Sequence, residues 1–83
     1  MTAVLTVRYF AGARAAAGGL SIESVEAPTL DALTRLLAAR HGERLAAVLT
    51  AASFLVDGLT CHDRQATLPA GATVDVLPPF AGG

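Results

Sequence analysis

The sequence predicts an α+β roll, in which a mixed sheet carries one main helix on one face. Three observations lead there. Val4 to Phe10 and Thr73 to Leu77 alternate apolar and polar residues with the period of a strand. Between them, Leu30, Leu33, Leu36 and Leu37 recur at helical spacing and make one apolar stripe. The predicted order is strand, strand, helix, strand, short strand, strand. It lets the first two strands pair as a hairpin and the helix cover one side of the sheet.

In the first strand Leu5, Val7 and Tyr9 share a face that suits a core. Thr6, Arg8 and Phe10 share the other face, where Phe10 is the apolar exception. Residues 11–19 (AGARAAAGG) read either as one helical turn stopped by Gly18 and Gly19 or as a loop. No strong helix start follows these glycines, so they do not have phosphate-cradle spacing. Leu20 to Ala27 predicts the second strand, with Leu20, Ile22 and Val25 inward and Glu23 and Glu26 exposed. The phase slips between Ile22 and Val25, which leaves room for a bulge.

Pro28 ends that strand, and Thr29 can cap a helix that runs to His41. Asp31 in the first turn, with Arg40 and His41 in the last, complements the helix dipole. Gly42 is the terminator, and His41 is expected on the last carbonyls. Glu43 to Ala52 predicts a short helical turn leading into a strand at Phe54 to Asp57. Asp57-Gly58 is a turn signal, and Leu59 to His62 a short returning strand. Asp63 to Gln65 is a polar loop, Leu68-Pro69-Ala70-Gly71 a second turn, and Thr73 to Leu77 the last strand. There Val74 and Val76 face the core; Thr73, Asp75 and Leu77 face away. Asp57, Asp63 and Asp75 are expected at turns or in solvent.

Length and composition bound the function. Eighty-three residues make one domain with a small core and little room for an enclosed active site. A chain that is 53% hydrophobic and 16% charged is not disordered by composition. The six cations (Arg8, Arg14, Arg35, Arg40, Arg44 and Arg64) are scattered, which argues against nucleic acid as a partner. There is no lysine, hence no side-chain amine for a Schiff base or an isopeptide bond. Cys61 is the single cysteine, which excludes an internal disulfide and a cysteine metal cluster. It reads as a half-buried filler, pointing away from its neighbour His62 and unable to form a nucleophile–base pair with it. His62 with Asp63 falls short of a metal site. No window resembles a membrane span or a signal peptide, so the expected location is cytoplasmic.

The C-terminal stretch is the one that points to chemistry. Prolines stiffen the backbone and cannot donate to a sheet, so ordered structure is expected to end at Pro78. The expected organisation is a domain over residues 1–78 and a flexible tail over 79–83. Those last five residues extend roughly 17 Å at about 3.4 Å each. Glycine has no Cβ, so Gly82 and Gly83 can thread a narrow channel. The terminal carboxylate is unhindered but a poor electrophile, so a partner enzyme must activate it. Leu77, Phe10 and Leu55 are apolar residues on the face away from the core, and they read equally as scattered surface hydrophobes or as a docking patch at the root of the tail.

These features together resemble the MoaD/ThiS sulfur carriers, small β-grasp (ubiquitin-like) proteins. The resemblance rests on Val7-Arg8-Tyr9-Phe10-Ala11 through Gly18, Pro28-Thr29, Val56-Asp57-Gly58, Leu68-Pro69-x-Gly71 and Val74-x-Val76-x-Pro78-Pro79-x-x-Gly82-Gly83. It covers essentially the whole chain and is nearest to MoaD, the small subunit of molybdopterin synthase. The resemblance implies that an ATP-dependent adenylyltransferase of the ubiquitin-activating type adenylates Gly83. A persulfide donor then makes the thiocarboxylate. The carrier docks on the large subunit of molybdopterin synthase and gives up sulfur to a pterin precursor. By the same resemblance Gly82, Ala81, Phe80 and Pro79 thread the partner's channel, and Phe10 and Leu77 belong to the docking patch. The carrier binds no cofactor and is no enzyme alone. Phe80 is bulkier than the usual residue at its position, which implies a different receiving channel. Cysteine, thiamin and secondary-metabolite pathways, a protein modifier and an inert-tailed interaction module are the alternatives.

Overall fold

The computed structural model describes residues 4–79, which form a five-stranded mixed sheet and three helices. In chain order the elements are β1 (Val4–Tyr9), α1 (Gly12–Ala16), β2 (Ile22–Glu26), α2 (Leu30–His41), α3 (Glu43–Ala51), β3 (Ser53–Val56), β4 (Leu59–Cys61) and β5 (Thr73–Leu77). The strand order is β2-β1-β5-β3-β4. β1 and β5 lie side by side in parallel at the centre, and every other pairing is antiparallel. This is the β-grasp arrangement that the sequence predicts.

The strand alternation explains which face is dry. Leu5, Val7 and Tyr9 of β1 and Val74 and Val76 of β5 are buried, and Leu30, Leu33 and Leu37 of α2 join the same core. Thr29 caps α2 as expected, its hydroxyl accepting from the Ala32 N–H at 3.1 Å. The start of α2 is also clamped from outside. Leu30 and Asp31 donate their N–H groups to the carbonyls of Ala66 and Arg64, and Thr29 bridges Thr67. The Asp63 to Gln65 loop is therefore built into the fold. Arg64 donates to the Leu49 carbonyl at 3.0 Å and lies 4.8 Å over the Phe54 ring. Thr29→Ala should cost about 1 kcal/mol, the usual worth of a cap. That is a fall of about 4–8 °C in Tm for a domain of this size, and an unchanged melting curve would show the cap to be idle.

The second strand departs from its expected phase. β2 pairs with β1 in unbroken register, Leu5 opposite Val25 and Val7 opposite Glu23, so there is no bulge. Val25 is buried as expected, but Glu23 takes the inward position next to it. Ile22 and Leu20 are exposed, at 54% and 39%. As an edge strand, β2 takes its phase from the ladder with β1, and its own apolar pattern does not override that register.

A second correction concerns Glu43 to Ala52. The segment is a nine-residue helix, α3, with Leu45 and Leu49 one turn apart and buried. Gly42, at φ 98°, both ends α2 and starts α3, so two helices follow one another around a single sharp corner. β3 and β4 then form the expected hairpin. Its turn places Asp57 and Gly58 at positive φ, 50° and 84°, which explains the glycine.

Candidate functional site

The face of the sheet away from the core holds the residues expected at the root of the tail. The register sets Arg8 of β1 beside Asp75 of β5, and Asp75 beside Leu55 of β3. Ile22 of β2 flanks Arg8 on the other side. Phe10, one residue past β1, donates its N–H to the Val76 carbonyl at 3.3 Å, which carries the register one step on to Leu77. Phe10, Leu77, Leu55 and Pro78 are half-buried, and Pro79 is exposed. Phe10 and Leu77 are thus brought together where the chain leaves the sheet, with Leu55 next to Asp75. Just beyond Phe10 the chain turns at Ala11 through φ 48°, a left-handed angle that costs a non-glycine residue of order 1 kcal/mol. Phe80, Ala81, Gly82 and Gly83 lie outside the described residues.

Asp75 is not in solvent. Its side chain is 8% exposed, and Arg8 grips it side-on, Nε to Oδ1 at 2.6 Å and Nη2 to Oδ2 at 2.8 Å. The hydrogen bond and charge of Asp75 raise the already high pKa of Arg8. The guanidinium also sits 5.5 Å over the Phe10 ring. A buried carboxylate in the middle of a sheet is tolerable only with such a partner. The signal for this pair lies in the alternation. Arg8 and Asp75 each stand two residues before an outward apolar residue, on strands that turn out to be neighbours. What local periodicity does not supply is that β1 and β5 are parallel and adjacent.

A second charged cluster lies on the helix side. Glu23 accepts from the Tyr9 hydroxyl at 2.5 Å and from Arg40 Nη1 at 2.7 Å, and it contacts His41 Nε2 at 2.5 Å. His41 therefore serves Glu23, with its ring edge-on to Tyr9 at 5.8 Å, and not the last carbonyls of α2. Glu23 is only 10% exposed, contrary to its expected solvent position. Burial pushes the Glu23 carboxyl up, but the bonds from Tyr9, Arg40 and His41 outweigh it and hold the group below the ordinary carboxylate value. Burial, then the Glu23 bond, pushes the Tyr9 phenol far up. This cluster ties β1, β2 and the end of α2 together, and its members are mutually satisfied.

The other polar residues have local roles. Cys61 is partly buried against the core and directs its Sγ toward the Asp63 carbonyl at 3.6 Å. Asp63 accepts from the Gln65 N–H, and Asp57 accepts from the Thr73 N–H at 2.9 Å, so both are turn residues. His62 is exposed. Among the described residues no group of three or more His, Cys, Asp or Glu side chains could hold a metal ion, and no helix is long and apolar enough to cross a membrane.

Three solved structures illustrate what this arrangement is similar to. A Pyrococcus furiosus protein described as molybdopterin converting factor subunit 1 is 25% identical, with a TM-score of 0.81 over 94% of this chain and 99% of that one. The small archaeal modifier protein 1 of Methanosarcina acetivorans is 19% identical, with a TM-score of 0.85 over 100% of this chain and 99% of its own. Subunit 1 of the Helicobacter pylori molybdopterin-converting factor, solved in complex with subunit 2, is 21% identical, with a TM-score of 0.72 over 96% and 99%. A search of curated proteins finds no significant match. The ThiS family model matches residues 7–83, from the middle of β1 through the terminal Gly82-Gly83. The chain belongs to the ThiS family, whose members are small sulfur carriers of the β-grasp fold.

Proposed function

We propose that the chain carries sulfur as a thiocarboxylate on Gly83 and delivers it to a molybdopterin precursor as the small subunit of molybdopterin synthase. The observation that carries this is the family match, which runs unbroken through Gly83. The Phe10–Leu77 patch beside Pro78 and Pro79 supports it, because an enzyme that receives the tail must cover that surface. The molybdopterin branch draws on the Pyrococcus furiosus likeness, and the Helicobacter pylori complex gives an example of such a subunit seated on a second one.

The chemistry needs no catalytic group from this chain. A carboxylate oxygen of Gly83 bonds to the α-phosphorus of ATP on a ubiquitin-activating-type adenylyltransferase, and pyrophosphate leaves. The outer sulfur of a persulfide donor bonds to the acyl carbon, and AMP leaves. A second thiol takes the donor's inner sulfur into a disulfide and frees the thiocarboxylate. In this reading ATP belongs to the partner, the carrier is a co-substrate without a cofactor, and the cytoplasm is where both meet. Residues 79–83 act as the thread, with Pro79, Phe80, Ala81 and Gly82 lining the partner's channel.

Incubation with the adenylyltransferase, ATP and a sulfide source tests it. Intact mass should rise by the difference between a sulfur and an oxygen atom. An unchanged mass with every adenylyltransferase of the source cell would overturn the reading. Likeness to an archaeal modifier protein favours one second reading, in which the same adenylate passes to a lysine of another protein. Covalent conjugates in place of the mass gain would select it. The chain has no lysine and could not be its own lysine acceptor.

A further inference from the structure

The docking face is not simply apolar, and its polar centre constrains what can sit on it. Arg8 and Asp75 form a pair of unequal exposure: the carboxylate side chain is 8% exposed and the arginine 48%. Both Asp75 oxygens are taken by Arg8. An approaching protein therefore meets a cation standing proud of a sunken anion. Nε and one Nη2 hydrogen are spent on Asp75. Among the described residues nothing takes either Nη1 hydrogen or the second Nη2 hydrogen, which leaves them for an acceptor from outside.

The surroundings make those donors count. Arg8 stands between Ile22 and Asp75 across the strands and over the Phe10 ring, with Leu77 and Leu55 beside Asp75. The Arg8 guanidinium carbon lies 5.5 Å from the Phe10 ring, two residues on along the same chain, so a protein that covers Phe10 and Leu77 also meets Arg8. Covering it with apolar side chains alone would strip water from a charged group and leave N–H donors unmatched. The least costly solution is an acceptor with negative charge, set in an otherwise apolar surface.

We infer that Arg8 is a specificity-determining residue, and that the adenylyltransferase which loads the tail presents a carboxylate to it within an apolar frame shaped to Phe10, Leu77 and Leu55. This rests on the docking reading above. The activating enzyme is the occupant because the proposed loading of Gly83 needs it, whichever pathway takes the sulfur. Asp75 is a positioning residue: it fixes the guanidinium plane and leaves one edge free for the partner. The arrangement also excludes enzymes that offer a cation or a purely apolar surface at that point.

Binding of the full chain to the adenylyltransferase, measured by calorimetry across a range of salt, tests this. Arg8→Gln alone leaves Asp75 buried and unpaired, so the informative variant is Arg8→Gln with Asp75→Asn, a neutral pair of similar shape. Thermal unfolding confirms that it folds. Its dissociation constant should rise about tenfold or more, the scale of an interfacial charge contact. Its affinity should also lose most of the salt dependence that the wild type shows. Arg8→Lys keeps the charge but not the fork and should fall between. Leu77→Glu is the control for the face itself. If the double variant binds like the wild type while Leu77→Glu does not, the face docks but Arg8 is idle, and the inference is overturned. If Leu77→Glu also binds like the wild type, the docking reading falls and the Arg8 assignment falls with it.

Discussion

Removal of Gly83 should abolish sulfur loading while leaving the melting temperature unchanged. The two halves of this expectation have separate causes. The shortened chain still ends in a glycine carboxylate, but one residue, or about 3.4 Å, short of its place. Misplacing a reacting atom by a single ångström can cost about a hundredfold, so a whole residue should reduce loading below detection. Stability should be untouched because the core ends at Val76: no residue beyond it belongs to the buried set among those described. Intact mass and thermal unfolding on the same sample check both. Loading at the ordinary rate would refute the assignment of Gly83 as the sulfur handle.

Replacement of Glu23 should have the largest effect on stability. Glu23→Ala removes the shared acceptor of Tyr9, Arg40 and His41 and strands a phenol hydroxyl on a residue with no exposure. Losing bonds to a charged acceptor and leaving the buried Tyr9 hydroxyl unpaired costs roughly 3 kcal/mol. That lowers Tm by on the order of 15 °C in a domain of this size. Glu23→Gln, which keeps an acceptor oxygen, should cost less. Acid provides a second check. The folded Glu23 carboxyl lies below its unfolded value, so the unfolded chain takes up its proton first as pH falls. The stabilisation is complete above the ordinary glutamate value of about 4.3 and is lost as pH drops through the lower folded one. Glu23→Gln should lose that part of the acid slope. An Ala variant that melts with the wild type would show the cluster to be ornamental.

Much of the architecture is legible in the amino-acid sequence, and the reasons differ by element. β1 and α2 declare themselves because each has one wet side and one dry side, so period and burial coincide; β5 declares itself by the alternation of its residue types alone, since none of its residues is exposed. The capping threonine and the terminating glycine of α2 are local chemistry and sit where expected. β2 fails this test: its inward Glu23 is tolerated only because donors arrive from β1 and from the far end of α2. α3 fails for another reason. A short, alanine-rich apolar run is ambiguous between a buried helix and a buried strand. The candidate site divides the same way. Phe10 and Leu77 stand out as apolar residues on a polar face. Asp75 does not, because its burial depends on Arg8, 67 positions away in sequence.

The parallel pairing of β1 with β5 has a mechanical consequence. β5 is an inner strand, bonded on one side to β1 and on the other to β3. A pull along residues beyond Leu77 enters the domain along the axis of β5. Inter-strand hydrogen bonds lie across that axis, so both ladders are loaded together in shear. An edge strand such as β4 would instead unzip one bond at a time. Whatever takes hold of the end of this chain, whether an enzyme drawing it into a channel or a motor feeding a protease, grips the part of the sheet that yields last.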